Sequence, residues 1–317
     1  MAVINKRNTN MTNGNLMQRI FRDFSINKYI YLMLLPVVSY YLLFYYVPMY
    51  GVQIAFKDFS PLQGITNSDW VGFKYFIEFF DSYYFWRVTR NTVLLSLYNL
   101  LLAFPAGIIL ALLLNLIQNQ VFKRTVQSIT YVPHFISLVV VVGMMVDFLS
   151  RDGLINQIMS FVFGIEPISF FLEPGWFRTL FISSGIWQNV GWNSIIFIAA
   201  IASIDPTLYE AGKMDGAGRW RQLLHITLPG IMPIITILFI LEVGMLMAVS
   251  DEKILLMYKP STYETADVIG TYVYRKGVLG ADFGYSAAVG LFNSVINFVL
   301  LVIANQTSKK YTGNRLW

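Results

Sequence analysis

Six stretches of this chain are apolar over roughly 20 residues each, the length a helix needs to cross about 30 Å of hydrocarbon. They run near residues 29–51, 92–116, 128–149, 179–203, 231–250 and 285–304. In lipid every backbone N–H and C=O must find its partner within the protein, so runs of this length are read as helices. Composition agrees: 13% of residues are charged, against about 25% in an ordinary soluble domain. Aromatic residues reach 16%, which suits belts of Trp and Tyr at the two membrane surfaces. The first run is too long for the apolar core of a signal peptide, and no A-x-A-like cleavage site follows it. The expected fold class is therefore an all-α membrane protein with six transmembrane helices.

Lys and Arg set the expected orientation. Lys6, Arg7, Arg19, Arg22 and Lys28 precede the first run, Lys123 and Arg124 follow the second, and Lys309, Lys310 and Arg315 follow the sixth. The positive-inside rule then puts both termini in the cytoplasm. The chain divides into a cytoplasmic segment (1–28), a six-helix domain (29–305) and a cytoplasmic tail (306–317). Two long outer loops, 52–91 and 251–284, are expected either to receive an extracellular protein or, in the second case, to re-enter the membrane as a plug.

The formal net charge of +5 comes from scattered residues rather than one basic patch, which argues against nucleic acid as a partner. With no cysteine, disulfides, thiolate metal sites and Cys nucleophiles are excluded. Neither a phosphate-binding G-x-x-x-x-G-K-[ST] loop nor an H-E-x-x-H metal motif occurs in the sequence. The two histidines, His134 and His225, read as a structural interfacial residue and as a helix C-terminal residue. No nucleophile has a base beside it. Catalytic residues, a metal and a cofactor are therefore not expected in this chain. Energy for any transport must come from a partner ATPase or from an ion gradient.

Polar residues inside apolar runs are costly and mark either a path or a pairing. Glu242 reads as mid-span. Trp187, Gln188, Asn189, Trp192 and Asn193 fall within seven residues of the fourth run. Amides donate to and accept from hydroxyls, and an indole covers the C–H face of a sugar ring. These residues, Glu242 and Asn293 are candidates for a carbohydrate path. An interfacial aromatic belt with helix-packing amides accounts for the span-four cluster equally well. For Asn293 and Asn297, one turn apart in the sixth run, helix packing is the stronger reading. Asp147, near the end of the third run, is expected to reach water.

Between the fourth and fifth runs lies YEAGKMDGAGRWRQLLHITLP, residues 209–229. Asp205-Pro206 is a helix start, with Asp as N-cap and Pro at the first helical position. A short helix over 207–214 follows, then a turn at Asp215-Gly216. A second helix is expected over about 217–227, ended by Pro229 and Gly230.

Glu210-Ala211-Gly212, Asp215-Gly216-Ala217, Ile226 and Leu228-Pro229 together resemble the EAA loop of ABC importer permeases: E-A-A, three residues, G, nine residues, I-x-L-P. Gly212 stands where the pattern has Ala. The resemblance extends along the chain through TADVIGTYVYRKG (265–277) and YSAAVGLFNSVINFVLLVIAN (285–305). It is strongest to permeases for oligosaccharides and polysaccharide fragments, including pectin-derived and alginate oligosaccharides. It implies a type I importer fold of the maltose-permease kind, with a coupling loop at 204–230. Glu210, Ala211, Gly212, Asp215, Gly216 and Ala217 would contact the ATPase. The implied partners are a second permease forming a heterodimer, an ATPase dimer that binds ATP and Mg²⁺, an extracellular solute-binding protein, an oligosaccharide and membrane lipid. The implied place is a bacterial cytoplasmic membrane. The alternative is a stand-alone ion-driven transporter, a class that shows inverted repeats and intramembrane acids. No convincing repeat is present, and Glu242 is the one acid read as mid-membrane.

Overall fold

The computed structural model describes residues 23–249, 251–313 and 316. Lys6, Arg7, Arg19, Arg22 and Arg315 lie outside them. Among the described residues the regular structure is helical, apart from one antiparallel bridge between Lys57 and Trp70. The chain forms two units, Met1–Gln53 and Ile54–Trp317. The helix α1 (Lys28–Phe56) matches the first apolar run. In the second unit come α2 (Lys74–Asp81) and α3 (Tyr83–Leu116), followed by α4 (Gln120–Phe135) and α5 (Leu138–Phe148). Then α6 (Leu154–Phe163) and α7 (Pro174–Ala202) precede the short α8 (Pro206–Met214). The last are α9 (Arg219–Gly244), α10 (Asp251–Met257), α11 (Ile269–Tyr274) and α12 (Phe283–Thr312). Among the described residues four helices, α1, α3, α9 and α12, are each long and apolar enough to cross a membrane, and up to six crossings result if each of two bent pairs counts as one.

Three expectations about boundaries are corrected. The run at 128–149 is not one helix: α4 and α5 meet at an angle of 99°. Pro133 sits in a tight turn, Ile136 is extended, and the Ser137 hydroxyl starts α5 by accepting from the Val140 N–H. Pro229 and Gly230 do not end a helix either, because α9 runs unbroken from Arg219 to Gly244. It then stops six residues before the expected end at 250, so Glu242 lies two residues from the helix terminus.

The proline result has a repeated physical cause. Wide π-helical turns cover Leu42–Tyr46, Asn99–Ala103 and Leu223–Thr227. Each ends two residues before a proline: Pro48, Pro105 and Pro229. A proline inside a helix removes one N–H and presses its ring on the carbonyl four residues back. Widening the preceding turn, so that the Leu228 N–H reaches back to Leu223, relieves that pressure and lets the helix continue.

The 251–284 segment is not an open loop. Ile254, Met257, Ala266 and Val268 are buried with Leu95, Phe177 and Phe181, joining α10 and the residues just before α11 to α3 and α7. Ile269, Tyr272, Tyr285 and Val289 pack with Phe79 and Val88 in a second core. A third core, around Ala111, Phe197, Ile201 and Ile231, lies toward the other end of α3.

Candidate functional site

A cavity of about 480 Å³ lies among α3, α7, α9 and α10. Its polar lining is Ser96, Asn99, Gln188, Asn189, Asn193, Glu242 and Lys253. Asn189 and Asn193, one turn apart on α7, present amides to the same space. Four of the residues read as path candidates thus meet here: Gln188, Asn189, Asn193 and Glu242. Trp187, Trp192 and Asn293 lie outside this lining. Trp187 is exposed. Trp192 stacks flat on His134, with ring centroids 4.4 Å apart. Asn293 donates to the Met247 carbonyl at 3.2 Å, while Asn297 accepts from the Met247 N–H at 2.8 Å. This pair anchors the chain just beyond α9.

Several cavity amides also hold the bend between α4 and α5. Gln188 donates to the Ile136 carbonyl at 3.1 Å, satisfying the backbone where the helix breaks. Asn189 donates to Gly185 and pairs with His134 Nδ1 at 3.0 Å. The approach is close because residue 191 is glycine: a Cβ there would overlap the Thr130 carbonyl. Hydrophobicity in the sequence did not single out Asn99 or Lys253. Asn99 is an amide within a long apolar run, and Lys253 stands in DEKILLM like an ordinary loop charge.

The segment after α7 forms a second candidate site. The Asp205 carboxylate accepts from the Thr207 N–H at 2.9 Å and caps α8. That backbone bond holds its pKa below the usual carboxylate value. At the other end, the Ala217 N–H reaches the Gly212 carbonyl at 2.8 Å and the Gly216 N–H reaches Lys213 at 3.0 Å. This is a Schellman closure, and it requires the left-handed backbone that Gly216 adopts at φ +74°. Gly212 faces inward, where a Cβ would lie 3.1 Å from Ile226. The Tyr209 hydroxyl meets Thr227 at 3.0 Å, and Gln222 donates to the Ala217 carbonyl at 2.8 Å. Glu210, Ala211, Asp215 and Gly216 face outward. Leu208 and Met214, on the same short helix, are exposed as well. A smaller cavity, of about 390 Å³, separates this segment from the end of α3 and is bordered by Lys123, Lys213 and Arg219.

At the opposite end of α3, Asp267 is fully buried between two arginines. Its carboxylate accepts from Arg87 at 3.0 Å and from Arg275 at 2.7 and 3.0 Å. Asn91 donates to the carbonyls of Glu264 and Asp267 and accepts from Arg178 at 2.9 Å. Arg275 also lies over the Tyr263 ring.

A bundle of long apolar helices around a hydrophilic cavity, with a closed helix pair projecting at one end, is the architecture of a membrane permease. A family model described as "binding-protein-dependent transport system inner membrane component" matches residues 103–312. The polygalacturonan/rhamnogalacturonan transport system permease protein YteP of Bacillus subtilis is 46% identical over 285 residues, covering 90% of this chain and 88% of that protein. Protein LplB of the same organism is 45% identical over 292 residues, or 92% of each. A solved bacterial alginate ABC transporter, in complex with alginate pentasaccharide-bound periplasmic protein, contains a chain with a TM-score of 0.87 and 41% identity. That match covers 94% of this chain and 100% of the other. The chain belongs to the binding-protein-dependent permease family and is a permease subunit of an ABC importer. In this family the subunit is a non-catalytic, inner-membrane component, which sets aside the ion-driven alternative.

Proposed function

We propose that this chain forms one half of the path of an ATP-driven importer for acidic oligosaccharides of the pectin type. Support for the cargo comes from chemistry shared by the relatives: one is named for polygalacturonan and rhamnogalacturonan, another belongs to a transporter of the acidic polysaccharide alginate. In this reading the chain crosses the membrane six times with both termini in the cytoplasm. A second, different permease completes the path, and an extracellular binding protein delivers the sugar. ATP and Mg²⁺ sit on a partner ATPase dimer. The cavity bordered by Asn99, Asn189, Asn193 and Glu242 offers amides and a carboxyl group to sugar hydroxyls.

The observation that carries the coupling role is the geometry of α8. It is capped at both ends, closed by Gly216, and presents Glu210, Ala211 and Asp215 outward. Such a short helix is too short to be stable alone and is held here by Tyr209–Thr227 and the Gly212–Ile226 contact. Docked in a groove of the ATPase, it would transmit closure of the ATPase dimer to α7 and α9. The test is affinity purification of the chain from native membranes in mild detergent, beside Gly216→Asp. Wild type should bring down an ATPase and a second permease, and the variant should lose the ATPase while keeping the permease. Recovery of the chain alone, under conditions that preserve other ABC complexes, would sink the proposal.

A further inference from the structure

We propose that Lys253 is the residue through which this permease reads a carboxylate on its cargo. The inference rests on the acidic-oligosaccharide reading above and deepens it. Lys253 is only 4% exposed, yet it belongs to the lining of the large cavity. Its ammonium donates to the Phe181 carbonyl at 2.8 Å and lies 4.8 Å from the centre of the Phe181 ring. Residue 185 is glycine, and a Cβ there would stand 3.3 Å from the Lys253 nitrogen. The wall of α7 is thus shaped to leave room for the cation.

What the ammonium lacks is a counter-charge. Among the described residues no carboxylate lies within ion-pair distance of Lys253. An ammonium has three N–H donors, and one backbone carbonyl occupies one of them. Burying such a charge without an anion is unfavourable, and an apolar side chain of similar length would fill the position at lower cost. A guest carboxylate entering the cavity supplies the missing partner as a charge-assisted hydrogen bond.

The remaining lining fits the rest of a uronate ring. Asn99, Asn189 and Asn193 match hydroxyls, which both donate and accept. Glu242, the one acid in the lining, is beyond ion-pair reach of Lys253. Lys253 therefore offers a cation on the α10 side of the cavity, apart from Glu242 on α9, and an acidic sugar is oriented with its carboxylate toward α10.

The experiment measures equilibrium binding of tritiated trigalacturonate, and of its fully methyl-esterified form, to the detergent-purified permease–ATPase complex. The binding protein is left out, so that only the permease is read. The ester keeps size and hydroxyls but removes charge. Wild type should prefer the acid. Lys253→Met should weaken acid binding by about tenfold or more while leaving the ester unchanged, and Lys253→Arg should keep the preference. Equal loss for both ligands in Lys253→Met shows a structural lysine and overturns the proposal, as does a preference that survives the substitution. A wild-type complex with no preference for the acid overturns the cargo reading, and the lysine's role with it.

Discussion

Gly216 and Gly191 are both glycine for reasons that can be separated by experiment. At Gly216 the backbone is left-handed, φ +74°, and an added Cβ would meet nothing within 4 Å. Within this chain only the conformation is at stake, at about 1–2 kcal/mol for an L-residue, whereas Gly216→Asp also puts a charge on the face proposed to dock. Asn tolerates that region better than a β-branched residue does. Gly216→Asn is expected to assemble and to couple nearly as wild type, whereas Gly216→Val should lower binding-protein-stimulated ATP hydrolysis severalfold. Comparing stimulated with basal hydrolysis in reconstituted complexes checks this, and equal stimulation in both variants would contradict it. At Gly191 the conformation is ordinary but a methyl group would overlap the Thr130 carbonyl. Gly191→Ala should destabilise the fold by about 1–3 kcal/mol through overpacking, seen as a lower thermal midpoint of the purified complex. An unchanged midpoint would show that α4 can yield. The first glycine was legible in the sequence because Asp-Gly is a local turn signal. The second was not, because its constraint comes from residues some 60 positions away along the chain.

Among the elements, apolar runs located the long helices, but α3 begins nine and α9 twelve residues before the expected start, and breaks and continuations were misjudged. Periodicity and hydrophobicity report which segments avoid water, and they say little about how a proline will be accommodated. Pro133 sits at a real break, since Ile136 turns extended and Gln188 satisfies its freed carbonyl. Pro229 sits in a continuing helix, because the π turn at Leu223–Thr227 opens the backbone before it. The difference depends on a tertiary partner in one case and on a local widening in the other. If Pro229 maintains that widening, Pro229→Ala should let the turn relax toward ordinary α-helix. The protein should still fold, since Ala is a good helix former, but the residues before the turn would rotate relative to α9. Amide exchange should change at Leu223–Leu228 with little change elsewhere in α9. An unaltered exchange pattern would mean that packing of Leu223 and Thr227, both buried, fixes the wide turn without the proline.

Across the whole molecule, the 34-residue α3 runs from the buried Asp267 network to the smaller cavity beside α8. At 1.5 Å per residue this is roughly 50 Å, enough to link one membrane surface to the other. The 251–284 segment was expected as a docking surface or a plug, being long and mixed in charge. In either role it is pinned through side chains that only folding brings together. Asp267 and Arg87 are 180 residues apart, and Asn91 bonds to carbonyls more than 170 residues away. Asp267 is wholly buried, and each arginine side chain is 26% exposed. Removing the carboxylate leaves two cations facing each other without their common anion, a change that costs about 3–5 kcal/mol for a buried pair. Asp267→Ala should therefore lower the thermal midpoint strongly, and Asp267→Asn should do so less, since its amide oxygen can still accept from Thr271 and one arginine. Adding Arg275→Met to Asp267→Asn should recover part of the loss, because it removes one unpaired cation. Each variant's midpoint, measured in the assembled complex, completes a double-mutant cycle with an expected coupling of about 0.5–3 kcal/mol. Additive effects would mean that Arg275 is held chiefly by its stacking on Tyr263 and Tyr272, and that Arg87 alone neutralises the acid.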